Sequence, residues 1–136
     1  MLHLEALRAL RRNNIGSVAD LPVFPPSRVY GRDRRPWNRI TAADDDFVMC
    51  HNDLSPHNIL VDPTDDSFPI TAIIDWEYAG FFPAEFELPL WQCPERNERH
   101  DMMRAYTARD LAFFGLTPAD MKDCVEDMPS WLDAAV

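Results

Sequence analysis

Three oxygen-bearing side chains stand at a spacing that suits phosphoryl transfer. The segment HNDLSPHN, residues 51–58, carries Asp53 and Asn58, and Asp75 follows the apolar run at 70–74. Phosphoryl transfer leaves little covalent work to the protein, so such a site must orient a hydroxyl or amine nucleophile and neutralise phosphate charge. Mg²⁺ prefers hard oxygen ligands and completes its octahedron with water and phosphate oxygens. We therefore predict that these side chains meet at one site.

Short β-rich runs flank both segments and predict the strands that position them. These runs cover residues 47–49, 59–61 and 70–74, and each is bounded by polar or proline-containing sequence. The 22 residues that separate Asp53 from Asp75 fit a strand, a turn and a second strand. We expect a small β-hairpin that carries both loops, with a turn at Gly80.

Helices are predicted at both ends of the chain. Leucines at helical spacing predict one over residues 2–12, and apolar residues at three- and four-residue steps predict another that ends at Gly115. Thr117 and the proline after it favour the start of a third helix. Residues 20–46, rich in proline and arginine, read as an irregular connection within a single domain that spans residues 1–136.

Composition excludes several classes of partner. The chain has 136 residues, 46% of them apolar, and a net charge of −10, which disfavours nucleic acid and suits a cationic small substrate. The three cysteines are widely spaced without a C-x-x-C pair, so neither a disulfide framework nor a zinc site is indicated. No cleavable leader and no apolar run long enough to cross a membrane is evident, so we expect a cytoplasmic protein without a membrane partner.

The pattern His51-x-Asp53, with Asn58 and then Asp75, resembles a known family. It is similar to the catalytic and metal-binding segments of aminoglycoside phosphotransferases and choline kinases and, less closely, of protein kinases. By that resemblance Asp53 would be the catalytic base or the carboxylate that orients the nucleophile, Asn58 would be a metal ligand, and Asp75 would join the metal to the ATP phosphates. His51 would hold the loop in a structural role.

The resemblance extends over nearly the whole chain and implies a fold and an activity. The stretches RVYGRDRRPWNR, DWEYAGFFPAEFE and DLAFFGL look like the large fungal branch of this superfamily. It implies an α+β fold, a mainly helical kinase-like C-lobe with a short β-hairpin that carries the catalytic and metal loops. It also implies ATP- and Mg²⁺-dependent transfer to a hydroxyl- or amine-bearing small molecule. An antibiotic, a choline-like amine, a sugar and another metabolite all remain open as acceptors.

The sequence lacks a glycine-rich phosphate loop and a strand lysine, two features that the family usually has. The four glycines form no G-x-G-x-x-G loop, and the single lysine, Lys122, stands near the C-terminus, away from any strand. We therefore expect the N-lobe to be absent, through truncation or evolutionary shortening, or to be supplied by a second chain. The chain alone is then expected to phosphorylate nothing at a useful rate. The alternative is a non-catalytic kinase-like fragment that acts as a binding or regulatory module.

Other interpretations of the same residues stay open. His51 and His57, with the two aspartates, make a His/Asp cluster of the kind that binds zinc or a dinuclear metal centre. Glu77 would lie on the same side of an extended chain as Asp75 and contact a second metal or the substrate, or else be a hydrogen-bonded loop carboxylate. The acidic and aromatic residues of 77–91 are expected to form the substrate-facing wall.

Overall fold

Two helices and five strands make up the part of the chain that the computed structural model describes, residues 2–16, 26, 40–42, 44 and 46–120. The elements are α1 (Leu2–Ala9), β1 (Arg11–Arg12), β2 (Phe47–Cys50), β3 (Ile59–Val61), β4 (Ile70–Ile73), β5 (Gly80–Phe82) and α2 (Arg96–Phe113). Short 3₁₀ turns lie at Pro56–Asn58, Ala84–Phe86, Leu90–Gln92 and Pro118–Asp120. No helix in these ranges is both long and apolar enough to span a bilayer.

Several predicted elements are confirmed. The structure has β3 at the predicted residues and β2 and β4 within one residue of prediction. Helix α2 ends at Phe113, two residues before the predicted end at Gly115, and Gly115 adopts a left-handed φ of 73° that is common just after a helix. Within the described ranges, more residues lie in helices than in strands, which agrees with an α+β fold. Most of the irregular connection at 20–46, its arginines included, lies outside the described residues.

The first helix is shorter than predicted. It ends at Ala9, Leu10 is 53% exposed, and Arg11–Arg12 form β1 instead of a last helical turn. Both arginines pair antiparallel with β2, opposite Val48 and Phe47. Helix propensity is a weak preference, and pairing with a distant strand overrides it here.

The prediction of a turn at Gly80 is wrong, because Gly80 begins β5. All three residues of β5 are buried, so the strand lacks the alternation that would reveal it in the sequence. It completes an antiparallel sheet of order β1-β2-β5. Gly16 exchanges two backbone hydrogen bonds with Phe81, at 2.7 and 2.9 Å, so the chain that follows β1 returns to the far edge of the same sheet.

The core lies against this sheet and is built largely from phenylalanines. Phe86 stacks on Phe82 at 5.5 Å between ring centroids and meets the edge of Phe113 at 5.4 Å. Phe47 in turn contacts Phe113 at 6.1 Å, so β2, β5 and the end of α2 share one aromatic cluster. Such edge and stacked pairs add to the free energy that burial of the rings supplies.

The second sheet is the predicted hairpin. Strands β3 and β4 pair antiparallel, with Ile59 opposite Ile73. The turn that joins them is shaped by Asp62 and Asp65, whose side chains accept hydrogen bonds from residues two positions later. Two hydrogen bonds from Thr64 lower the pKa of Asp62 below its ordinary value, and the bond from the hydroxyl contributes more than the bond from the N–H. The 51–58 loop enters β3 and Asp75 follows β4, so one hairpin carries both segments.

Replacement of Gly80 by alanine should destabilise the fold. An added Cβ would stand 2.8 Å from the carbonyl oxygen of Gly16 and 2.9 Å from a Phe82 ring carbon. Overpacking against backbone costs about 1–3 kcal/mol, to be measured as a lower free energy of unfolding in urea. Gly115→Asn is the matched control, because that position is open and asparagine tolerates a left-handed φ. Equal stability of wild type and Gly80→Ala would contradict the close approach.

Candidate functional site

The hairpin brings the 51–58 loop and the 74–79 loop side by side. The Ile74 N–H donates to the Asn58 carbonyl at 2.9 Å, just beyond the last paired residues of β3 and β4. Asp75 is the next residue after this contact. Asp53 lies five positions before Asn58 and is held by the Asn58 side chain, so the backbone next to Asp75 contacts the residue that holds Asp53.

The buried side chain of His51 links the 51–58 loop to the 74–79 loop. Its ring is fully buried, Nε2 donates to the Ile74 carbonyl at 2.8 Å, and Nδ1 accepts from the Asp53 N–H at 3.2 Å. These partners select the Nε2-protonated tautomer, since a carbonyl only accepts and an N–H only donates. The ring of Trp76 packs on the imidazole at 4.7 Å between centroids. Both nitrogens of the His51 ring are thus hydrogen-bonded to backbone groups.

Asp53 is oriented through both of its carboxylate oxygens. Oδ1 accepts from the Ser55 hydroxyl at 3.2 Å, and Oδ2 lies 3.4 Å from Asn58 Nδ2. The same Nδ2 donates to the Asp53 carbonyl at 2.8 Å. The side chain is only half-buried. A carboxylate fixed in this way can still accept a proton or a hydrogen bond from a molecule in the solvent.

Asp75 and Asn58 provide the oxygen atoms that suit a hard cation. Asp75 is exposed, and its carboxylate makes no hydrogen bond or ion pair within the described ranges. Asn58 is buried and donates through Nδ2, while its Oδ1 accepts no hydrogen bond from a described residue. A carboxylate oxygen and an amide oxygen on adjoining loops fit Mg²⁺, which takes few protein ligands and keeps several waters.

The prediction that Glu77 lies on the same side of an extended chain as Asp75 is wrong, because the backbone is not extended at Asp75. Asp75 has a left-handed φ of 62°, and Glu77 lies in the turn that follows, with an exposed side chain. Backbone in this conformation does not alternate its side chains as a strand does, so positions two apart need not share a face. His57, a member of the predicted His/Asp metal cluster, is also exposed.

The His/Asp metal cluster gains no support from the geometry. No group of three or more His, Cys, Asp or Glu side chains is gathered as a metal site in the part of the chain that the structure describes. His51 has no ring nitrogen left for a metal, because each one already has a backbone partner.

The expected substrate-facing wall at 77–91 is largely core instead. Phe81, Phe82 and Phe86 are buried in the aromatic cluster, although Glu77 and Glu85 are exposed. These phenylalanines pack in the core between the first sheet and the end of α2. A separate cavity of about 410 Å³ lies beside the stretch, lined by residues such as Phe47, Pro83, Glu85 and Phe113, and it includes no residue of either loop.

Sequence reasoning missed the roles of two buried polar residues, Glu87 beneath the 51–58 loop and Asn52 within it. Glu87 is 6% exposed, and its carboxylate accepts hydrogen bonds from the backbone N–H groups of His51 and Asn52. Asn52 is 2% exposed, has a left-handed φ of 68°, and donates through Nδ2 to the Tyr78 carbonyl at 3.0 Å. An acid among apolar neighbours, as in FELPL, is the signal that indicates Glu87, since a buried charge needs partners.

These loops and this hairpin define a class of protein. An oriented carboxylate beside a second carboxylate and an amide of the types that bind Mg²⁺ is a combination that phosphoryl-transfer sites use. A model of the phosphotransferase enzyme family (APH) matches residues 3–120. The match covers most of the chain, so the chain belongs to the phosphotransferase enzyme family. No curated protein and no solved structure matches it.

Loss of the His51 ring nitrogens should destabilise the protein far more than loss of the neighbouring His57. His51→Phe keeps a buried ring but leaves the Ile74 carbonyl and the Asp53 N–H without partners, and we expect a cost of about 2–4 kcal/mol. His57→Ala, at an exposed position of the same loop, should change stability by less than about 0.5 kcal/mol. Urea unfolding of both variants tests this, and similar losses would show that His51 does not bridge the loops.

Proposed function

We propose that this chain carries the site of an ATP- and Mg²⁺-dependent phosphotransferase that acts on a hydroxyl- or amine-bearing small molecule. The observation that carries the proposal is the position of Asn58. Its side chain holds Asp53 and its backbone carbonyl holds the 74–79 loop that bears Asp75. One buried residue thus links the carboxylate that would meet the acceptor to the carboxylate that would meet the metal.

In this function Asp53 orients the acceptor. Its carboxylate accepts a hydrogen bond from the attacking hydroxyl or amine and directs a lone pair of that atom toward the phosphorus. Ser55 and Asn58 keep the carboxylate from rotating away, since each donates to a different oxygen. The half-buried position leaves room for the acceptor on the solvent side.

Asp75 and Asn58 are the residues that would hold Mg²⁺ in this function. Bound there with ATP, the ion would neutralise charge on the phosphate oxygens. The left-handed backbone at Asp75 turns the chain away from β4, and the carboxylate remains exposed to solvent. Glu77, exposed on the turn beyond it, is a further candidate contact for a second metal or for the substrate.

The proposal also extends to architecture and partners. The hairpin, the 51–58 loop and α2 are consistent with the C-lobe of a kinase-like fold of the fungal branch. A second chain or a further segment would then provide additional contacts to ATP. The net charge of −10 favours a cationic acceptor such as an amine-bearing molecule, because like charges repel an anionic one.

Titration of the full chain with Mg²⁺·ATP in a calorimeter tests the function. We expect binding heat in the wild type, and Asp75→Asn should weaken binding at least about tenfold, because an amide replaces the charged ligand. Asp66→Asn removes a charge from the exposed hairpin turn and is the matched control. Asp53→Asn should retain the heat, since Asp53 would face the acceptor and not the metal.

Each outcome of this titration separates two functions. Heat that depends on Asp75 but not on Asp66 supports the phosphotransferase site. An absence of heat in the wild type contradicts it and favours a non-catalytic module that binds another partner. Equal loss of heat in the Asp75 and Asp66 variants would show that net charge alone attracts the nucleotide.

A further inference from the structure

The cavity of about 410 Å³ beside the first sheet lies at the other end of β2 from the 51–58 loop. Phe47, the first residue of β2, lines the cavity, whereas His51 follows the last residue of the same strand. At about 3.3 Å per residue, Phe47 and His51 are about 13 Å apart. No residue of the 51–58 loop or of the 74–79 loop lines the cavity. The cavity is therefore distinct from the candidate phosphotransfer site.

Backbone hydrogen bonds hold one wall of the cavity, residues 40–42, beside the chain that follows β1. The Ile15 N–H donates to the Ile40 carbonyl at 3.0 Å, and the Ala42 N–H donates to the Asn13 carbonyl at 2.7 Å. Two bonds on successive residues of this kind fix the distance between the segments. This wall is thus part of the folded structure and does not wait for a ligand to form.

A second wall, residues 83–85, is tied to helix α2. Arg109 of this helix donates through Nη2 to the Glu85 carbonyl at 2.8 Å. Phe113, the last residue of α2, adds its ring to the lining. Because both walls are hydrogen-bonded to other parts of the fold, the cavity is formed in advance, as small-molecule sites usually are.

The lining combines apolar side chains with two carboxylates. Asp46 and Glu85 are exposed, and neither carboxylate makes a hydrogen bond or ion pair with a described residue. Arg109 reaches the Glu85 backbone, but its guanidinium is already paired with the Asp110 carboxylate at 2.9 Å. Within the described part of the chain, no lysine or arginine lines the cavity. The apolar lining residues are Ile40, Ala42, Phe47, Pro83, Ala84 and Phe113.

We propose that this cavity is a second binding site, which takes a small organic cation with an ammonium group on an apolar ring or chain. The carboxylates of Asp46 and Glu85 attract the ammonium group, and the net charge of −10 adds to this field. The rings of Phe47 and Phe113, 6.1 Å apart between centroids, supply apolar contact and an aromatic surface that attracts cations. The inference does not depend on the phosphotransferase function proposed above.

The same lining disfavours other classes of ligand. An anion would meet two unpaired carboxylates and be repelled. A metal ion would leave the apolar side chains uncovered, and the described ranges hold no group of three or more acidic, histidine or cysteine side chains that could bind one. The volume of the cavity lies in the range of about 300–1,000 Å³ that is usual for small organic ligands.

Titration of the full chain with phenethylammonium tests the inference, followed by the methyl NMR signals of Ala42 and Ala84. We expect saturable shifts with a Kd of about 1 mM or tighter, a value suited to so small a molecule. Neutral phenethyl alcohol should bind about 3- to 10-fold more weakly, and anionic hydrocinnamate more weakly still, because neither forms an ion pair with the carboxylates. Added salt should weaken the binding of the cation and not that of the alcohol.

Two variants separate the charge of the cavity from its shape. Glu85→Gln should weaken phenethylammonium binding about 3- to 5-fold and leave phenethyl alcohol binding unchanged. Glu98→Gln is the matched control, because Glu98 is an exposed acid of α2 that does not line the cavity. Ala84→Leu should abolish the binding of both molecules, since the larger side chain fills the space. If Ala84→Leu does not fold, Ala42→Leu gives the same comparison.

Every outcome of these titrations bears on the inference. Shifts that rank the three molecules by charge and disappear in Ala84→Leu support it. Equal affinity for the cation and the anion overturns it, and so do equal losses in Glu85→Gln and Glu98→Gln. Shifts at the methyl groups of Ile59 and Ile73 instead of the cavity would locate the cation at the hairpin and overturn it. Cavity signals that depend on protein concentration alone would identify a second copy of the chain as the occupant, which also overturns it.

Discussion

The imidazole of His51 is the contact on which the geometry of the candidate site depends. A polar ring that is fully withdrawn from water must find partners for both nitrogens, or it costs more free energy than its packing returns. Both partners are backbone groups, one in the 51–58 loop and one at Ile74. The ring therefore sets the distance between two backbone segments directly. Asp53 itself provides one of these backbone groups, and Asp75 is the residue after the other.

Strand β2 connects this polar region to the hydrophobic core. Its residues Phe47, Val48 and Cys50 are buried in the core, and His51 follows immediately. Glu87 similarly comes directly after the buried Phe86, whose ring packs in the aromatic cluster. The core thus holds β2 and the segment at Phe86, and these two segments meet where Glu87 accepts a hydrogen bond from the His51 N–H. Packing of the phenylalanines and orientation of the site are consequently parts of one cooperative structure.

The polar groups of the site divide by burial into two sets with different chemistry. His51, Asn52, Asn58 and Glu87 are buried and use their polar atoms mainly to hold backbone or one another. Asp53 is half-buried and Asp75 is exposed, so these carboxylates can meet molecules from the solvent. In a chain of net charge −10, a divalent cation would reduce the repulsion between such carboxylates and a nucleotide.

Local sequence patterns determined the strands β2, β3 and β4, the left-handed end of α2, and the hairpin that carries the 51–58 loop and Asp75. Each of these depends on residues close together in the chain, where periodicity and turn residues act directly. Only the tertiary structure decided that α1 ends at Ala9, that Gly80 begins a strand, and that Glu87 holds residues 36 and 35 positions earlier. Contacts of that kind leave no local period in the sequence, because their free energy arises only when distant segments pack together.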